Sequence, residues 1–168
     1  FDAADTLMLA LAAAIPGASF AAYYAHVLPE PAWYYELRSI AGTELFVVFL
    51  GISGGLLSTF LPRVLRILPL LGVAVLSTAP IIKPFIGPIS ADTFKDLWDG
   101  EVCLQSTPST CGAASTATIL RYLGAEATEL GVAEEAHSYS GGTEAWYLAR
   151  TARSRGFNAR FDFSSGFS

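Results

Sequence analysis

Three stretches of the chain are apolar and free of full charge. Residues 6–28, TLMLALAAAIPGASFAAYYAHVL, run 23 positions without one; residues 45–61, LFVVFLGISGGLLSTFL, run 17; residues 67–82, ILPLLGVAVLSTAPII, run 16. About 20 apolar residues cross the roughly 30 Å hydrocarbon core of a bilayer. A helix at the edge of a soluble core keeps a charged face, and these runs offer none. The pattern therefore predicts transmembrane helices at 6–28, 45–61 and 67–82, with residues 1–90 as a membrane region. Pro16 would kink the first, which membrane helices tolerate. Gly51, Gly54 and Gly55 would let the second approach a neighbour closely. The third, with Pro69 and Pro80 near its ends, is the shortest, and a re-entrant path is its alternative. Buried helices of a soluble domain are the competing reading of all three. A cleaved signal peptide accounts for one run, not three.

Beyond residue 82 the pattern changes. Residues 83–102, KPFIGPISADTFKDLWDGEV, carry two prolines, two glycines and a cluster of acids, and read as a linker. Residues 111–124, CGAASTATILRYLG, have helical spacing that places Ile119, Leu120 and Leu123 on one face, with Gly124 as the stop. Residues 128–137, TELGVAEEAH, form an acidic helix, and residues 141–156, GGTEAWYLARTARSRG, a helix capped by Thr143 and stopped by Gly156. Residues 157–163, FNARFDF, alternate apolar and polar positions as a strand with one buried face does. A single strand makes no stable sheet, so residues 91–168 read as the mainly helical first portion of an α+β domain whose sheet continues beyond Ser168.

Charge sharpens the division. Only 15% of the residues are charged, against roughly 25% in an average soluble domain. Residues 1–90 hold four basic and five acidic groups; residues 91–168 hold six and ten. The net charge of −5 argues against a nucleic-acid partner, which needs a basic patch. Two cysteines without CxxC spacing give neither a zinc site nor a disulfide framework, and no metal or cofactor is expected. Arg63 and Arg66 lie between the second and third runs, whereas the loop at 29–44 carries three Glu and one Arg. Basic loops prefer the cytoplasm. That puts the 29–44 loop outside, with Trp33, Tyr34 and Tyr35 at the outer interface, and the second region outside after three spans. A re-entrant third run would keep it inside.

Candidate chemistry concentrates in residues 103–115, CLQSTPSTCGAAS. Pro108, Ser109 and Thr110 are turn and cap residues, so Cys111 falls at the first turn of its helix. The unpaired N–H groups there favour an anion, hence a thiolate, which is what a nucleophilic cysteine requires. Gly112 removes a side chain beside it and would let a substrate approach. Gln105, six residues upstream, has an amide that can donate to the oxyanion formed when a thiolate attacks a carbonyl. A buried structural Cys in an Ala-rich helix is the alternative.

The stretches LQSTPSTCGAASTATILRYLG and GGTEAWYLARTARSRGF resemble the C39 family of papain-like cysteine peptidases, which includes bacteriocin-processing enzymes that cut leader peptides after a double-glycine site. Gln105, Cys111, Gly112, Tyr122, Gly124, Gly142, Thr143, Gly156 and Phe157 match the family pattern, over residues 101–163. Thr110 departs from the Asp usual before the Cys. The resemblance implies a papain-like fold, Cys111 as nucleophile and Gln105 as oxyanion donor. It implies a peptide or protein substrate, with an export transporter as a further candidate partner. It does not reach the membrane region.

A thiol peptidase also needs a base, usually a His oriented by Asp or Asn. His137 ends the acidic helix and reads as a surface or helix-terminal residue; His26 lies in or beside the first apolar run. The base is therefore expected beyond Ser168. Cys103 reads either as a small buried residue or, in an exported domain, as a disulfide partner that would silence Cys111. Arg150, Arg153 and Arg155 read as a solvated helix face, or as a site for an acidic peptide. The sequence thus predicts a membrane-anchored C39-type peptidase with an incomplete site. Its alternatives are a non-catalytic C39-like peptide binder and a membrane scaffold with a structural Cys.

Overall fold

The computed structural model describes residues 2–24 and 31–162. The chain divides into two compact units, residues 1–30 with 42–82 and residues 31–41 with 83–168. The division is not a single cut near residue 90, because the short 31–41 segment belongs with the C-terminal residues.

In the first unit, α1 (Ala3–Tyr24) and α3 (Val47–Ser58) pack together, and α4 (Ile67–Ile86) begins after a 3-10 turn at Arg63–Leu65. Of the three glycines expected to permit close approach, Gly54 does so. A Cβ there would lie 2.5 Å from Val73 Cγ2, whereas Gly51 and Gly55 face open space.

The expected transmembrane helices are not borne out among the described residues: no single helix there is long and apolar enough to cross a membrane. The run at 45–61 is broken by its own ends. Residues Thr43–Phe46 form a 3-10 turn, and the 12 residues of α3 reach only about 18 Å at 1.5 Å per residue. The sequence of α4 takes in Pro69, Pro80, Lys83 and Pro84. Among the described residues, Ala32–Arg38 and Thr43–Ser58 taken together as a bent pair meet the length and composition required.

The second unit is mostly helical, with one two-stranded antiparallel sheet among the described residues. Strands β1 (Leu97–Asp99) and β2 (Val102–Leu104) pair Leu97 with Leu104 and Trp98 with Cys103 across a Gly100–Glu101 turn. The expected linker thus supplies half of a hairpin. Helices α5 (Cys111–Tyr122), α6 (Glu129–Glu135) and α7 (Ala145–Ser154) follow. Cys103, Ala113, Ala114, Ala117, Leu120, Val132 and Ala133 form the core, with Phe94, Trp98, Leu148 and Phe157 against it. Leu120 is buried, but Ile119 and Leu123 are exposed. The expected strand at 157–163 makes no ladder over residues 157–162, and residue 163 lies outside the described residues. The expected α+β papain-like architecture behind transmembrane helices is therefore not borne out: the described residues are mostly helical, with one two-stranded hairpin.

The 31–41 segment carries α2 (Ala32–Arg38). Its Tyr34 and Tyr35 are buried rather than interfacial, and the Tyr35 ring lies 5.9 Å from Trp146 and 5.2 Å from Phe161. Arg150 of α7 donates to the carbonyls of Arg38 (2.6 Å), Ser39 (3.2 Å) and Ile40 (2.8 Å), which closes the C-terminal end of α2. Arg153 bonds Glu36 and the carbonyl of Ala159, both at 2.6 Å, and Arg155 pairs with Glu135 at 2.7 Å. The expected solvated arginine face is an internal fastening.

Candidate functional site

Cys111 is the first residue of α5 and is exposed; both cysteines are free thiols. The turn before it is closed by Thr110, which is fully buried. Its hydroxyl accepts from Thr107 N–H and donates to the Thr107 carbonyl, each at 3.0 Å. That commitment explains why Thr110, though at the N-cap position, makes no side-chain cap bond to the helix. The first turn of α5 thus receives no side-chain cap from Thr110, and uncapped N–H groups at a helix start favour an anion. An Asp at this position, the residue of the resembled pattern, would place a charged group where Thr110 closes the turn.

Gly112 has a different role from the expected one. A Cβ there would stand 2.9 Å from Leu148 Cδ1 and 3.6 Å from Thr143 Cβ. Its missing side chain brings α5 against α7 rather than clearing a path for substrate. Thr143 does not cap α7, whose N-cap is Glu144; its hydroxyl shares a 2.7 Å hydrogen bond with Ser138.

Gln105 leaves the end of β2 and is exposed. Its amide has no hydrogen-bond partner among the described residues, so it is free to meet an incoming oxygen. The segment from Cys103 to Cys111 is held at four places, one of them Ser109, whose hydroxyl donates to the Ser140 carbonyl at 2.6 Å. Cys103 N–H donates to Thr118 Oγ1 of α5 at 2.9 Å. Ser106 N–H donates to Glu129 Oε1 at 2.7 Å, and Thr107 is tied to Thr110. Gln105 and Cys111 therefore stand, both exposed, at the two ends of one clamped loop; no hydrogen bond joins them. Sequence reasoning missed Glu129, which is fully buried at the start of α6. The available signal was an acid standing next to the capping Thr128, but what it holds lies 23 residues away.

Cys103 is the opposite of Cys111. It is buried, and its thiol is pushed up to about 11, first by loss of hydration and then by the charges of Glu129 and Asp96. It remains protonated and enclosed where Cys111 faces solvent.

His137 follows α6 and is exposed. Its φ is +52°, and His137 N–H bonds the Glu134 carbonyl (3.2 Å) while Ser138 N–H bonds that of Ala133 (2.8 Å). This is the left-handed closing turn of a helix C-terminus. Gly124 and Gly156 close α5 and α7 in the same way, at φ +86° and +89°. His137 thus ends a helix, and its ring lies edge-on to Tyr147 at 5.3 Å. His26 lies outside the described residues. Among the described residues no group of three His, Cys, Asp or Glu side chains is arranged to hold a metal.

Beside α5 an open groove of about 410 Å³ is lined by Ile119, Leu123, Leu148, Ala152, Phe157 and Phe161, among others. From α5 it takes Thr116, Ile119, Leu120 and Leu123, in the helix's C-terminal half; Cys111 does not line it.

No protein-family model and no solved structure matches the chain. A protein of Methanothermobacter thermautotrophicus (strain Delta H), described only as uncharacterized, is 41% identical over 64 residues, which are 38% of this chain and 45% of that protein. The match thus covers less than half the length of either protein.

Proposed function

We propose that the second unit acts as a cysteine-type hydrolase of the C39 kind, in which Cys111 attacks a peptide carbonyl and Gln105 donates to the resulting oxyanion. The observation that carries this reading is an exposed thiol at the first position of α5, beside N–H groups that Thr110 leaves uncapped. Attack forms the S–C bond and moves the carbonyl π pair onto oxygen. Collapse re-forms the carbonyl and expels the amine, which takes a proton. Gln105 and the first-turn N–H groups are donors suited to the negative oxygen. Proton transfer to the amine needs a general acid, for which a His oriented by Asp is the expected source. The substrate proposed is a leader peptide cut after a double glycine, which rests on the family resemblance.

Attachment to a membrane is part of the same proposal. In the first unit Met8, Ile15, Val64 and Val75 are each more than 60% exposed (69%, 73%, 84% and 66%). An apolar surface of this kind marks a lipid or protein contact, and a lipid surface is the one proposed.

A second reading is a non-catalytic peptide binder. It is favoured by the groove beside α5 and by the use of His137 to end α6. Limited iodoacetamide labelling near pH 6 tests the reactive thiol that the hydrolase needs and the binder does not. Cys111 should be alkylated faster in the folded chain than in the same chain unfolded in urea at that pH, since a helix N-terminus favours the thiolate. Equal rates in the two states count against the hydrolase.

A further inference from the structure

We propose that Glu129 is a positioning residue for the thiol site, holding the Gln105 loop in register with Cys111. This rests on the reading of Cys111 as nucleophile and Gln105 as oxyanion donor.

Glu129 is fully buried, and a buried carboxyl is retained only where its oxygens are hydrogen-bonded. Both of its oxygens go to one residue. Oε1 accepts from Ser106 N–H at 2.7 Å, and Oε2 accepts from the Ser106 hydroxyl. That hydroxyl in turn accepts from Lys95 N–H at 2.9 Å. Ser106 immediately follows Gln105. Two residues before Gln105, Cys103 N–H is fixed to Thr118 of the nucleophile's own helix. The backbone of Gln105 is therefore bracketed by one bond to α5 and a pair of bonds to α6, while its amide stays free. Glu129 N–H lies 3.3 Å from Asp96 Oδ1, which ties the start of α6 to the residue before β1. With both oxygens committed, Glu129 is placed to hold the loop rather than to touch substrate.

An oxyanion donor works only if it is held still. A misplacement of about 1 Å can cost roughly 100-fold in rate, and supporting side chains supply that precision. Glu129 fits this role because it reaches the donor's neighbour by side chain and backbone together.

The test compares two electrophiles on the whole chain. A peptide aldehyde ending in Gly-glycinal adds reversibly to Cys111. The S–C bond forms, the carbonyl π pair moves to oxygen, and the thiol proton ends on that oxygen. Iodoacetamide alkylates the same sulfur with loss of iodide and forms no oxyanion. Glu129→Ala and Gln105→Ala should each weaken the aldehyde adduct about tenfold or more, as loss of an oxyanion donor does. Both should leave the iodoacetamide rate at Cys111 within about twofold, because alkylation uses no such donor. Glu129→Gln keeps an acceptor for Ser106 N–H and should restore most of the affinity. Ser106→Ala, a milder change, should weaken the aldehyde alone.

Wild-type aldehyde affinity in Glu129→Ala, with Gln105→Ala impaired, would overturn the role of Glu129. So would parallel losses with both electrophiles, which mark a purely structural residue. If Glu129→Ala does not fold, unchanged aldehyde affinity in Ser106→Ala overturns it instead. Failure of the wild-type chain to form any aldehyde adduct at Cys111 would refute the underlying site reading itself.

Discussion

Gly112 and Leu148 stand so close that a Cβ on the glycine would lie 2.9 Å from Leu148 Cδ1. The contact joins α5 to α7, one residue beyond Cys111. Gly112→Val should therefore destabilise the second unit by about 1–3 kcal/mol, the usual cost of overpacking. Urea unfolding should show a lower midpoint with an unchanged slope. An unchanged midpoint would mean that α5 and α7 do not meet in this way.

Arg150 fastens the 31–41 segment to α7 through three carbonyls. Arg150→Ala should cost about 2 kcal/mol, as expected for hydrogen bonds to a charged group. Arg150→Lys should recover little, since an ammonium lacks the planar fork. Hydrogen exchange should rise at residues 34–40 in both variants. Exchange that stays at the wild-type level there would remove the fastening.

His137 holds a left-handed turn that Gly124 and Gly156 hold elsewhere. His137→Gly and His137→Ala both remove the Tyr147 contact, so their difference isolates the backbone. The Gly variant should be the more stable by about 1 kcal/mol, the cost of a Cβ in this conformation. Neither should change the labelling rate of Cys111. A large fall in that rate in both variants would give His137 a part in the site.

Much of the helical pattern is legible in the chain because its signals are local. Cys111 opens α5, and Gly124 and Gly156 close α5 and α7 where a residue of positive φ is needed. What failed depends on partners distant in sequence. An apolar run does not reveal that Thr43–Phe46 and residues beyond Ser58 turn it, so 45–61 read as a span. Tyr34 and Tyr35 read as interfacial until Trp146 and Phe161 meet Tyr35 from the far end of the chain. Glu129 and Arg150 are ordinary helix residues in sequence; only the fold supplies the Ser106 and residue 38–40 groups that they hold. Gly112 was legible as a close approach, but not which side was approached.

Burial of Cys103 sets a pH dependence. Its thiol is pushed up to about 11 from 9.0, so above pH 9.0 the unfolded chain ionises first. The contribution of Cys103 to stability is therefore whole below 9.0 and is lost as pH rises toward about 11. At pH 8, alkylation of Cys103 should follow the unfolding rate and quicken with urea. Rapid labelling of Cys103 in the native chain at pH 8 would contradict its burial.

Acyl transfer from a peptide thioester ending in Gly-Gly tests Cys111 as a nucleophile most directly. The sulfur takes the acyl group and the peptide's thiol departs, so no amine need be protonated. Mass spectrometry should find the folded chain acylated at Cys111 alone, about tenfold or more faster than the same chain unfolded in urea at the same pH, as a preorganised donor set implies. The rate should fall in Gln105→Ala, and the adduct should vanish in Cys111→Ala. Equal rates in the folded and unfolded chains, or acylation shared with Cys103 in the folded one, would contradict the assignment.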